Sequence, residues 1–475
     1  MTDLHDLTAL DQAAAIRSGE ISPVELVEHY LSRIDRLDRT VGAFVTVTWE
    51  TARVQAKQAE EAVTSGDADD LPPLLGVPTA IKDLNLTAGV RTTLGSRVYA
   101  DFVPPLDDHV VTLLRSAGTI SLGKTNTPEF GLPCYTESAV APPARTPWDT
   151  TRSAGGSSGG AGAATAAGLV PFAQGSDGGG SVRIPSSACG LFGIKVSRGR
   201  ISNGPIGGDT TGLAWNGPIA RTVRDAAAML DAMAVPMPGD PHWAPPLPPG
   251  ETFLGHADRD PGRLRIGRWI TPTVPGAEVH PDCRRAWEDA SALLASLGHE
   301  VEDVDPPFGA GSIPLFETLW SVAAHGAPVE PAREGELQPL TRWLRGRGAT
   351  VTGSQFTTAL GSLQMMARAG IVATAPYDVI LTPTLAQPPA PVGWFSDGVD
   401  PAEDFERQKR FTPFTAVYNM TGQPAVSVPL HWSGDGLPIG VMLVGRPAGE
   451  AALVALSAQL EAARPWADRH PALWG

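Results

Sequence analysis

Cysteine is scarce in this chain: Cys134, Cys189 and Cys283 are the only three in 475 residues. An odd number without C-x-x-C spacing excludes a disulfide framework and a cysteine-built metal site. The thiols are expected to be free, in a reducing compartment, with Cys189 packed as a small core residue. Long hydrophobic runs are missing as well. The alanine-rich stretch 161–173 is too short to span a membrane and is interrupted by Gly and Pro. Met1-Thr2-Asp3-Leu4-His5-Asp6 has neither the basic region nor the apolar core of a signal peptide, so a cytoplasmic location is expected. Positive charge is not in excess. Lys and Arg total 36 against 51 Asp and Glu, a net charge of −15, which argues against a nucleic-acid partner. Ten histidines are present, but none has metal-ligand spacing or sits in a glycine-flanked turn, and only His109 lies near a motif. No metal and no cofactor are expected.

What the chain has in quantity is glycine (52) and proline (45). Much of the glycine lies between 154 and 208, and much of the proline in 235–262. Hydrophobic content of 42% with 18% charged residues is that of a globular enzyme with a large core. Helical periodicity marks 6–18, 23–38, 49–64, 108–117, 221–233, 281–297 and 451–463, and 157–169 reads as an alanine-rich helix. The second of these starts on Ser22, Pro23 and Glu25, a capping box with proline at its preferred place. Strands are expected at 75–83, 119–123, 169–174, 264–267, 377–381, 425–430 and 438–444. Their interleaving with helices indicates an α/β fold, a mixed central β-sheet surrounded by helices. We expect one domain over 1–475. Within it, 1–66 is an N-terminal helical segment, 235–262 a Pro-rich surface connection, and 312–372 a variable helical region bordering the substrate pocket.

Gly118 to Thr125 fits G-x-x-x-x-G-K-[ST], the phosphate-binding loop. The context is wrong, because a helix precedes Gly118, the residues between the glycines read as a strand, and Pro128 interrupts the helix that should follow. Nucleotide binding is therefore not expected.

Three other segments carry chemistry. Gly155-Gly156-Ser157-Ser158-Gly159-Gly160 and Asp177-Gly178-Gly179-Gly180-Ser181-Val182-Arg183 embed serines in glycine, which lets a carbonyl approach converging backbone N–H groups. Pro78-Thr79-Ala80-Ile81-Lys82-Asp83 ends an apolar run on a lysine. A lysine serves as a general base only when neutral, so burial must lower its pKa from about 10.4. In a strand, Asp83 points to the opposite face and need not hold Lys82 charged. On its own, a buried lysine is more often one half of an ion pair; the two serine loops turn the reading towards catalysis.

Together these segments resemble the amidase signature family, serine hydrolases with a Ser–cis-Ser–Lys triad, and Gly123 to Gly131 resembles a further stretch of that family. The resemblance extends over nearly the whole chain. It implies Ser181 as nucleophile, Ser157 as the bridging serine after a cis Gly156–Ser157 peptide, and Lys82 as general base. It implies an oxyanion hole from the N–H groups of Gly178, Gly179, Gly180 and Ser181. Asp177 and Arg183 would brace the loop, with Ser158 behind the triad. The pocket would draw on Cys134, Tyr135, the 414–421 region, and Phe316 and Trp320 of the variable helices. There are departures: Gly178 stands where family members often carry Thr or Ile, and Lys195-Val196-Ser197-Arg198-Gly199-Arg200 replaces Lys-Pro-Thr-x-Gly-Arg.

Within the family the chain is similar to bacterial aryl acylamidases and 6-aminohexanoate cyclic dimer hydrolases. The implied activity is hydrolysis of a linear or cyclic amide through an acyl-enzyme. One alternative is the glutaminase subunit of a tRNA-dependent amidotransferase, but those subunits usually have Arg-Gln-Pro where this chain has Arg183-Ile184-Pro185. An amide-forming acyltransferase and a non-catalytic binding protein are further readings, and the second should have lost a triad member. The expected partner is a small-molecule amide, with no nucleic acid and no membrane; a homodimer is compatible with the sequence.

Overall fold

The helix start at Ser22 forms as its residues dictate. Pro23 opens the helix Pro23–Val41, and the Ser22 hydroxyl accepts from the Val24 and Glu25 N–H groups. The same hydroxyl donates to Glu60 at 2.5 Å. This bond crosses to the helix Trp49–Ser65, in place of the reciprocal Glu25 contact of a capping box. With Ala9–Arg17 these helices form the N-terminal segment. The computed structural model describes residues 3–66, 70–207 and 209–475.

Two sheets organise the chain, where the sequence suggested one. The smaller contains β1 (Phe44–Val47), β3 (Ile120–Thr125) and β2 (Pro78–Lys82) in that spatial order, with β3 antiparallel to β1 and parallel to β2. The larger has eight strands in the order β4-β6-β5-β10-β11-β9-β7-β8. They are β4 (Phe172–Asp177), β5 (Phe192–Lys195), β6 (Trp215–Ala220), β7 (Arg265–Arg268), β8 (Glu300–Asp303), β9 (Val379–Pro383), β10 (Ala425–Trp432) and β11 (Pro438–Gly445). Pairing is antiparallel from β4 to β9 and parallel through β7 and β8, so the large sheet is mixed. Helices flank it, as expected for an α/β fold.

The two sheets meet where the chemistry lies. The Thr79 hydroxyl of β2 donates to the Phe172 carbonyl of β4, and the Lys82 N–H donates to the Gln174 side chain. Lys82 ends β2 and Asp177 ends β4, so lysine and serine loop leave neighbouring strands at one site. The helix Gly159–Ala166 is buried along its whole length. Its Gly and Ala side chains are small enough for the close packing this requires. Ser157 and Ser158 lie at its start, which holds them in the interior.

β3 occupies Ile120–Thr125, so the apparent phosphate loop is a strand. Lys124 there is buried, donating to the Asn85 carbonyl and the Thr92 hydroxyl, with Asp83 at 3.7 Å. The Pro-rich 235–262 stretch is largely irregular apart from the turn Phe253–His256, and Leu247 and Leu254 pack onto the main core. Region 312–372 holds Ser312–Gly326, Pro339–Ala349 and Gly353–Thr374. No helix among the described residues is long and apolar enough to cross a membrane.

Candidate active site

Lys82 is fully buried, and its ammonium-bearing end contacts hydroxyl and carbonyl oxygens. Nζ donates to Ser157 Oγ at 2.8 Å, to Ser176 Oγ at 3.0 Å and to the Ser176 carbonyl at 3.2 Å. Burial lowers its pKa to about 7, against an opposing pull from the Asp177 carboxylate. Asp83 turns the other way, accepts from Thr93 and faces Lys124. Among the described residues no carboxylate is paired with Lys82. An amine of this kind is neutral in a large share of molecules near pH 7, which is what a general base requires.

The peptide between Gly156 and Ser157 is cis. Ser157 and Ser158 are buried. Ser158 Oγ donates to the Ser176 carbonyl and accepts from the Ser176 N–H, tying the first serine loop to β4. The Ser158 N–H donates to the Ser181 carbonyl at 3.2 Å, so the two serine loops lie side by side. Among the described residues no hydrogen bond joins the Ser157 and Ser181 hydroxyls. The Ser181 side chain instead lines an open cavity. Catalytic hydrogen bonds often tighten only when substrate is bound.

The loop before Ser181 is braced from below. Asp177 receives Arg183 Nε and Nη2, each at 2.9 Å, and also the Gly180 and Val182 N–H groups and the Asn419 side chain. Burial pushes the Asp177 carboxyl up, but the Arg183 guanidinium outweighs it and holds the pKa well below the usual carboxylate range. Arg183 also donates to the Thr415 carbonyl and the Asn419 side-chain oxygen. Removing one partner of a buried ion pair leaves an uncompensated charge and costs about 3–5 kcal/mol. Arg183→Ala should destabilise the fold by roughly that amount, read as a lower midpoint in chemical denaturation; an unchanged midpoint would remove the bracing role.

One expectation changes here. Gly180 N–H is spent on Asp177 Oδ1 at 2.8 Å, so it does not face a substrate oxygen. Gly178, Gly179 and Ser181 retain N–H groups without a hydrogen-bond partner among the described residues, and of these Gly179 and Ser181 line the open cavity. The reason is electrostatic: the Asp177 carboxylate curls back under its own loop to collect N–H groups.

Beside Ser181 lies a cavity of about 90 Å³. Its walls include Cys134, Ile184, Phe316, Trp320, Phe405 and Met420. Tyr135 is not part of the lining. Its ring stacks on Phe395 at 4.8 Å and its hydroxyl donates to Asp404, which turn it into the core. Cys134 does line the cavity, and burial raises its thiol pKa well above the usual value. Thr415 and Asn419 of the expected 414–421 region lie under the loop as braces; residues not foreseen are Ser176 on the lysine and Phe405, Gln408 and Lys409 from the helix Pro401–Phe411. Only Ser176 carried a sequence signal, its place in the Gly175-Ser176-Asp177 run.

Residues 25–454 match the Amidase family model. The chain is 36% identical over 499 residues to a 6-aminohexanoate-cyclic-dimer hydrolase of Paenarthrobacter ureafaciens, covering 98% of this chain and 96% of that one. It is 35% identical over 475 residues to an acylamidase of Rhodococcus erythropolis, covering 99% and 98%. A solved structure of a 6-aminohexanoate cyclic dimer hydrolase superposes with a TM-score of 0.91 at 33% identity, covering 100% of both chains. The match over residues 25–454 and relatives matched from end to end, with a buried lysine beside two glycine-set serines, place this chain in the amidase family of amide-hydrolysing enzymes.

Proposed function

We propose that the chain hydrolyses an uncharged carboxylic amide through an acyl-enzyme on Ser181. The observation that carries this reading is Lys82, buried without a carboxylate partner and donating at 2.8 Å to Ser157. Neutral Lys82 takes the Ser157 proton while Ser157 takes the Ser181 proton. Ser181 Oγ then bonds to the amide carbon, and the carbonyl oxygen collects negative charge opposite the N–H groups of Gly179 and Ser181, the two that line the cavity. The C–N bond breaks as the proton returns along the same relay to the leaving nitrogen. Water, deprotonated by the same relay, splits the ester and releases the acid. Each step conserves protons, and none needs a cofactor.

The cavity wall supports an alkyl or aryl group beside the amide, because Phe316, Trp320, Phe405 and Met420 offer it apolar contacts, and Lys409 on the same wall is already paired with Glu317 and Glu406. The relatives named for a cyclic dimer hydrolase and an acylamidase fit the same substrate range. A panel of anilides, alkyl amides and cyclic amides, with acid and amine detected by mass spectrometry and no other protein added, tests the reading. Turnover of at least one neutral amide is expected. Activity appearing only with a partner protein would favour the amidotransferase-subunit reading.

The relay makes a separate prediction. Ser157→Ala removes the bridge without touching Lys82 or Ser181. Turnover should fall by about 10²–10⁴-fold, the range of a positioned proton-transfer group, while thermal stability stays nearly unchanged. Equal loss of stability and activity would make Ser157 a loop brace, and full activity would mean a simple Ser181–Lys82 dyad.

A further inference from the structure

The loop Gly178–Gly179–Gly180 uses its glycines for two different reasons. Gly180 has φ of 136°, a conformation that side chains rarely adopt. Gly178 and Gly179 do not have such angles, so their backbones would accept a side chain; at Gly178 space is tight. A Cβ on Gly178 would stand 3.2 and 3.3 Å from ring atoms of Trp320 and 3.3 Å from Ala214 Cβ. A Cβ on Gly179 would touch the Phe316 ring at 3.4 Å. The bare Gly178 therefore gives the Trp320 ring a close seat, while Phe316 makes an ordinary contact with Gly179.

That pair is rigid. Phe316 and Trp320 are one helical turn apart on Ser312–Gly326 and stack with centroids 5.1 Å apart and planes 20° from parallel. Glu317, next in the chain to Phe316, receives Arg347 at 2.9 Å and Lys409 at 2.5 Å, which ties this helix to two others. Both rings line the cavity together with Ser181 and Gly179, whereas Gly178 does not reach it. Trp320 both contacts Gly178 and lines the cavity.

We propose that Trp320 is a positioning and specificity-determining residue. Its ring, seated on Gly178 with Phe316 on Gly179, holds the backbone N–H donors of the loop in place. The same stack forms a flat wall that admits straight or planar groups beside the scissile carbonyl and turns away branched ones. This rests on the reading that the Gly178–Ser181 loop receives the carbonyl oxygen. It adds that Gly178 and Trp320 are one unit: a side chain on residue 178 would crowd the ring where it now sits.

A double-mutant cycle reads that coupling. The variants are Gly178→Thr, Trp320→Ala and the two combined, assayed for kcat and KM. The substrates are hexanoyl against pivaloyl anilide, and N-hexyl against N-tert-butyl benzamide. Gly178→Thr alone should lower kcat at least about tenfold, since Ala214 is fixed by the backbone and the indole must move. In the Trp320→Ala background the same substitution should cost less than about threefold, a non-additivity expected only for residues that touch. Trp320→Ala should also raise the kcat/KM ratio of branched to straight substrates by about tenfold for at least one pair, a selectivity change that mere loss of stability does not produce. Trp320→Phe keeps a wall and should retain the straight-chain preference. If Trp320→Ala does not fold, Trp320→Leu carries the same cycle. Additive effects, or an unchanged branched-to-straight ratio, overturn the proposal. Ser181→Ala measured alongside separates the cases: if it is inactive while the cycle is additive, only the wall is wrong, and if it is active the site reading itself is wrong.

Discussion

Ser181→Ala should abolish amide turnover to within the background of the assay while leaving the fold intact. The residue lines the cavity, so no core packing is lost with its hydroxyl. The Asp177–Arg183 brace beneath it uses no Ser181 side-chain atom. Without the hydroxyl no acyl-enzyme forms. What remains is the catalysis that the loop's N–H donors give to direct attack by water. Removing the nucleophile of a comparable triad costs about 10⁶-fold in kcat. Steady-state kinetics with the best amide of the panel, together with a thermal melt, checks both halves. A variant that keeps more than a hundredth of the activity would move the nucleophile elsewhere. A variant that melts far below the parent would show that the hydroxyl has a structural duty.

Lys82→Met should be nearly as damaging to turnover and opposite in its effect on stability. A neutral thioether of similar length cannot accept a proton, so kcat/KM should drop by several orders of magnitude. The pH profile of the parent follows from the lysine's pKa near 7, set by burial. Below that value the amine is protonated and cannot act, so kcat/KM should fall about tenfold per pH unit on the acid side and level off above it. The stability consequence has a definite sign. The folded pKa near 7 lies below the unfolded value of 10.5. Between these two values the unfolded chain carries the extra proton, and stability rises with pH across that window. Below pH 7 the full cost of the buried charge is present. Lys82→Met removes that cost, so its melting temperature at pH 6 should not be lower than the parent's. Equal acid limbs in the parent and in a Lys82 variant with residual activity would place the titrating group elsewhere.

Much of the site was legible because its residues are dense in one-dimensional signals. Ser157 and Ser181 stand in glycine, and Lys82 ends an apolar strand in a chain whose histidines have no motif. The helix caps at Ser22 and the long amphipathic helices were legible for the same reason: capping and periodicity are local. The donor set was not. That Gly180 gives its N–H to Asp177 depends on how a carboxylate folds beneath its own loop, and a run of three glycines reads the same either way. Asn419 and Thr415 fall in the 414–421 region expected at the pocket, but that they brace the loop from more than two hundred residues away has no local signal. Tyr135 looked like a pocket residue from its position after Gly131, but the partners that turn it inward, Phe395 and Asp404, are also distant in sequence.

Among the strands, β5 and β6 escaped notice because they are buried throughout and show no alternation, and Gly193, Gly217 and Pro218 lower their strand propensity. β4 was read too early, ending at Gln174, because Ser176 and Asp177 are poor strand formers. They extend the strand to Asp177, where they meet Lys82 and the Arg183 brace. Local preference gives way there to the needs of the site. The helix Pro401–Phe411, rich in charge, hid its apolar face in Phe405 and Phe411, although its Asp400 cap accepts from Ala402 and Glu403 as caps do.

The central claim is that Ser181 carries the acyl group. The most direct test is to quench the enzyme during turnover of an amide with a slowly hydrolysed acyl part, digest it, and map the mass added. The account predicts an acyl increment on the peptide bearing Ser181, present in the parent and absent from Ser181→Ala. An increment on another residue, or its persistence in Ser181→Ala, would contradict it.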